Sequence, residues 1–127
     1  MHSTADVRGV CAALPGSRET FPFDATTLVF KVAGKMYALT DLTADPVTLS
    51  LKVRPEDGEA LRAADPAITP GSHLNKRHWV TVTLDGTVPE GVVRELLAGS
   101  HALVVAGLTR AQRAELERER EREPGQT

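Results

Sequence analysis

The residues of this chain that could do chemistry are mostly cations. His73-Leu74-Asn75-Lys76-Arg77-His78 runs into the single tryptophan, Trp79, while Lys31, Lys35, Lys52 and Arg54 stand in or beside segments rich in β-branched residues. Ammonium, guanidinium and hydroxyl groups contact phosphate oxygens, and an indole can stack on a base. Thr48 and Ser50 supply hydroxyls two residues apart, Lys52 continues that series, and Thr81 and Thr83 follow Trp79 in the same rhythm. Alternation puts all of them on one polar sheet face. The same residues fit a plainer role, in which exposed cations keep an open sheet soluble and Trp79 packs beneath its loop.

Other chemistry has less to stand on. Cys11 is the only cysteine, which excludes an intrachain disulfide and an all-cysteine metal cage. It falls on the apolar side of a first helix, where thiols are usually inert. His73 and His78 are five residues apart, with Asp65 upstream and His101 far downstream, a weak spacing for a metal. No G-x-S-x-G, Walker A, dinucleotide-binding glycine pattern or H-E-x-x-H occurs. The expectation is a protein that is not an enzyme and uses no metal or other cofactor.

Size and charge bound the partners. A chain of 127 residues with 41% hydrophobic and 25% charged residues can build one core without staples. Its formal net charge of −2 means that any anion-binding surface is a local patch. Asp24, Asp41, Asp45 and Asp85 fall on turns around the same sheet, where they could repel phosphate. The first residues lack the basic and apolar regions of a signal peptide, and no apolar run approaches the roughly 20 residues of a membrane span. A cytoplasmic protein with no membrane partner is expected.

The elements that position these residues follow from spacing. Ser3 or Thr4 can cap a helix carrying Val7, Val10, Cys11 and Leu14 on one face, and Pro15-Gly16 stops it. Phe21-Pro22-Phe23 reads as an extended, anchored lead-in. Residues 27–33 and 36–39 form a hairpin around Gly34-Lys35, and residues 47–53 alternate as a half-buried strand. Pro55-Glu56-Asp57 opens a helix ending near Asp65-Pro66, and residues 67–78 are aperiodic and read as a loop. Residues 79–84 alternate again, with Val80, Val82 and Leu84 inward and Trp79, Thr81 and Thr83 outward. Pro89-Glu90 opens a helix with a break at Gly99-Ser100. Residues 1–108 are expected as one α+β domain, an antiparallel sheet with helices packed on one face. Residues 109–127, with five arginines against five glutamates, are expected as a charged tail, a frayed helix or disordered. Leu116 is the only large apolar residue there, too little for a docking face.

Leu14-Pro15-Gly16-Ser17, Phe21-Pro22-Phe23, the run from Phe30 through Gly34-Lys35-Met36-Tyr37-Ala38-Leu39, and Asn75-Lys76-Arg77-His78-Trp79 occur in an order that resembles the MmcQ/YjbR family of small bacterial proteins. The likeness covers about residues 4–110. It implies a frataxin/CyaY-like fold and a double-stranded DNA partner, held through a double-wing arrangement of sheet and loops, with no catalytic residues. The nucleic-acid-binding set is then Lys31, Lys35, Lys52, Lys76, Arg77 and Trp79. An alternative is a module that binds a small molecule or a protein through the same loop, with no nucleic-acid role. A third reading has a partner recruited by the tail.

Overall fold

Ser3 starts the first helix as its residue type predicts. Its hydroxyl accepts the Asp6 N–H at 3.1 Å while the Asp6 carboxylate accepts the Ser3 N–H at 3.3 Å, a reciprocal cap on α1 (Thr4–Ala12). The computed structural model describes residues 1–71 and 74–122. After α1 come β1 (Ser17–Thr20), β2 (Thr27–Val32), β3 (Lys35–Asp41), β4 (Thr48–Lys52), α2 (Pro55–Ala64), β5 (Ile68–Pro70), β6 (Trp79–Thr83), α3 (Glu90–Ala106) and α4 (Arg110–Arg122).

The six strands make one antiparallel sheet in the order β1-β2-β3-β4-β6-β5. Phe30, Ala38, Leu51 and Val80 stand in register across four strands, and Leu28, Thr40, Leu49 and Val82 form the next row. These rows are buried together with Val7, Val10 and Cys11 of α1 and Val93, Leu97 and Val104 of α3, so the helices cover one face. Each large apolar side chain buried there contributes about 1.5–3 kcal/mol. α2 lies on the same side: a Cβ at Gly58 would sit 3.0 Å from Val53 Cγ2 and 3.6 Å from Val80 Cγ1. The other face carries Thr27, Val29, Lys31, Leu39, Thr48, Ser50, Lys52, Thr81 and Thr83. This α+β architecture is the one the alternation predicts.

Several elements differ from expectation. The edge strand β1 falls on residues 17–20, for which no element is expected, and β5 falls in the segment read as a loop. Ser17-Arg18-Glu19-Thr20 pairs with β2 through its backbone, and β5 pairs with β6 inside the supposed 67–78 loop. The hairpin turn is Ala33-Gly34, one residue earlier than expected, because Val32 pairs with Lys35 and both turn residues have positive φ (50° and 76°). Phe21 and Phe23 are 48% and 66% exposed, so that segment is not anchored by its rings.

The expected break at Gly99-Ser100 is absent, and α3 runs through it as one helix. Ser100 is buried there for a reason that lies in the sheet. Tyr37 is skipped at a bulge in the β2–β3 pairing, and the β3–β4 ladder stops at Ala38 and Leu51, leaving the Tyr37 carbonyl and the Lys52 N–H without each other. The Ser100 hydroxyl bridges them, donating to Tyr37 O at 2.5 Å and accepting from Lys52 N at 2.8 Å. A residue that weakens a helix locally is thus spent on two backbone groups of the sheet.

Residues 110–122 also differ. Thr109 and Gln112 cap α4 reciprocally, at 3.1 and 2.9 Å, and Arg113 donates to Ala106 O at 2.9 Å. Leu116, expected to have nothing to dock against, is 6% exposed and joins the core beside Val32 and Gly16. Gly16 is required there twice over, by its φ of 70° and because a Cβ would fall on Leu116.

Candidate functional site

Strand reversal decides where the cations go. In an antiparallel sheet the C-terminal ends of β2 and β4 lie beside the N-terminal ends of β3 and β6. Lys31 is near the end of β2, Lys35 opens β3, Lys52 closes β4, and Lys76 and Arg77 immediately precede β6. All four lysines of the chain therefore converge on one end of the sheet, joined by Arg77 and Arg54. From β2 to β6 is three interstrand steps, roughly 14 Å, or about four base-pair rises along a duplex.

The turn that presents Lys76 and Arg77 is built by its neighbours. Asn75 Oδ1 accepts the Arg77 N–H at 2.9 Å, and Asn75 O accepts the His78 N–H at 3.1 Å, closing a turn with Lys76 and Arg77 exposed at its tip. His78 O accepts the Val53 N–H at 2.8 Å, which ties the turn to the end of β4. Trp79 pairs with Lys52 on the face away from the helices, as expected, but is only 8% exposed. Gly71 donates its N–H to Trp79 O at 3.0 Å, and a Cβ at Gly71 would come within 2.7 Å of Trp79 Cβ. Trp79 therefore anchors the turn and has no open ring face for a base. His73 lies outside the described residues.

The aspartates occupy the opposite end. Asp24 lies between β1 and β2, Asp41 closes β3, Asp45 lies between β3 and β4, and Asp85 follows β6. Asp24 Oδ1 accepts the N–H groups of Thr26 and Thr27 at 2.9 and 2.7 Å, which hold its carboxyl below the ordinary range. Hydrogen bonds from Thr43 and Thr87, hydroxyl first, do the same for Asp41 and Asp85. Asp24, Asp41 and Asp85 thus form their own turns, a sheet's length from the lysines. Glu56 and Asp57 follow Arg54 on α2, and Asp57 lines a cleft of about 700 Å³ between α2 and α3 together with Lys52, Arg54 and Glu95.

Ion pairing separates the cations further. Among the described residues ion pairs form at the N-terminus and at Arg8, Arg18, Arg94, Arg118 and Arg120, and none involves a lysine or Arg77. The hydroxyls of the polar face are partly committed: Ser50 and Thr81 hydrogen-bond to each other at 2.8 Å.

The remaining reactive groups are structural. Burial pushes the Cys11 thiol up from 9.0 to about 11. His101 donates from Nε2 to Pro15 O at 2.7 Å and packs edge-on against Tyr37, at 5.3 Å between ring centres. It is far from His78 in its role as well as in sequence. No group of three potential metal ligands gathers among the described residues.

A helix-backed antiparallel sheet with all its lysines at one end and turn-locked aspartates at the other defines the chain as an α+β protein with a polarised, open sheet. Residues 12–103 match the YjbR family model, and the chain belongs to the YjbR family. It is 32% identical over 110 residues to YbdF of Escherichia coli O157:H7, spanning 87% of this chain and 88% of that one. It is 34% identical over 95 residues to YjbR of Escherichia coli K12, spanning 75% and 80%. The crystal structure of Deinococcus radiodurans protein DR2400, domain DUF419, superposes with a TM-score of 0.87 at 60% identity, covering 92% of this chain and 89% of that chain. A Pseudomonas syringae crystal structure gives 0.69 at 26% identity, covering 80% and 97%. Among the described residues no helix is long and apolar enough to cross a membrane.

Proposed function

We propose that this chain is a non-enzymatic, cytoplasmic DNA-binding protein that holds duplex phosphates with Lys31, Lys35, Lys52, Lys76 and Arg77. The observation that carries the reading is the convergence of four lysines and Arg77 on one sheet end, none of them in an ion pair among the described residues. Unpaired cations in a row are ready to replace the counterions of a phosphate backbone. Trp79 and Asn75 support the arrangement from beneath and make no contact with bases. Recognition is accordingly of backbone more than of sequence.

A labelled duplex titrated at increasing salt tests this. Five phosphate contacts predict a slope of log affinity against log salt of about −4 to −5. Absence of binding at micromolar protein and low salt would refute the proposal.

A further inference from the structure

Arg18 of β1 stands directly opposite Lys31 of β2 in the sheet register. Like charges in that position destabilise a strand pair unless an anion neutralises them. The chain supplies one itself. Glu119 Oε1 of α4 lies 3.6 Å from Arg18 Nη2, and Arg18, Thr20, Lys31, Gln112, Glu115 and Glu119 line a cleft of about 540 Å³ between α4 and the strand edge.

α4 is lightly held. Leu116 is its only buried side chain among the described residues, and the helix lies beyond the 12–103 family match. Within the helix Glu115 pairs with Arg118 at 2.6 Å and Glu117 with Arg120 at 3.5 Å. Of the ion pairs that α4 makes among the described residues, that of Glu119 with Arg18 crosses to the sheet. Arg18 keeps 73% of its side chain exposed while paired, so a second anion can approach it.

We propose that Arg18 is a further phosphate-contacting residue, extending the cationic end onto β1, and that Glu119 masks it as an internal stand-in for phosphate. The proposal rests on the nucleic-acid reading above. Phosphate and Glu119 compete for one guanidinium, so loss of the carboxylate charge must strengthen duplex binding, and duplex must weaken the hold on α4 in return.

Fluorescence anisotropy of a labelled duplex tests it on the full chain, with Glu117→Gln as a control that changes charge equally. Glu119→Gln is expected to bind roughly two- to fivefold tighter than the unaltered chain, the range of an exposed ion pair. Its salt slope should steepen by about 0.9, one more phosphate contact. Glu117→Gln should match the unaltered chain, and adding Arg18→Gln to Glu119→Gln should remove the gain. If Glu119→Gln binds no tighter, or Glu117→Gln gains as much, the mask is overturned and the nucleic-acid reading survives. If none of the proteins binds duplex, both fall.

Discussion

Replacing Lys76 and Arg77 together by glutamate is expected to weaken duplex binding by roughly a hundredfold at low salt, about 2.7 kcal/mol. Two phosphate contacts are lost and two like charges are brought to the same oxygens. The fold should be untouched, because both side chains are exposed and the turn is held by Asn75, His78 and Trp79. The salt slope should flatten by about 1.8, two contacts at about 0.9 each. The same charge change on the helix side, Arg94→Glu with Arg110→Glu, should cost far less. Anisotropy titrations at matched salt separate the two. Equal losses from both double variants would mean that net charge, and no particular surface, governs binding.

Ser100→Ala is expected to destabilise the fold by about 2–6 kcal/mol, since two buried backbone groups lose their partner and each orphan costs about 1–3 kcal/mol. The serine is 1% exposed, so water cannot replace the hydroxyl without opening the packing. Urea unfolding should show a lower midpoint with an unchanged slope. Ala98→Ser, exposed on the same helix, should move stability by no more than about 0.5 kcal/mol. A loss below about 1 kcal/mol for Ser100→Ala would mean that the Tyr37 carbonyl and Lys52 N–H find each other once the hydroxyl is gone. The variant also bears on the site, because the bridge sets the junction between the strands that present Lys35 and Lys52.

Much of this fold is legible in the sequence, for a definite reason. Val47, Leu49, Leu51 and Val53, and later Val80, Val82 and Leu84, alternate because their strands have a helix-covered face, and that pattern identifies strand and inner face together. β1 and β5 leave no such trace. Ser17-Arg18-Glu19-Thr20 has no large apolar residue, and β5 is three residues ending in Pro70, so both are edge strands defined by backbone pairing. Ser100 reads as a helix break because its partners, Tyr37 and Lys52, are far away in the chain. α4 did carry a local signal in Thr109-x-x-Gln112, a capping pattern overshadowed by the Arg/Glu repeat. Leu116 shows that one apolar residue suffices when a glycine opposite it leaves a socket.

The candidate site was legible residue by residue but not as a surface. Each lysine can be placed near a strand end from its neighbours, yet their convergence depends on strand order, which side-chain patterns do not encode. The same reversal that gathers the lysines sends Asp24, Asp41, Asp45 and Asp85 to the far end of the sheet. Trp79 shows the opposite case. Alternation gives its face correctly but not its burial or its close approach to Gly71, just past β5.

Mapping backbone amide shifts by NMR while unlabelled duplex is added tests the central claim most directly. Perturbations should concentrate at residues 31–36, 52–54 and 75–79 and leave 24–27, 41–46 and 85–87 unmoved. Shifts centred on the aspartate end, or none at saturating duplex, would contradict it.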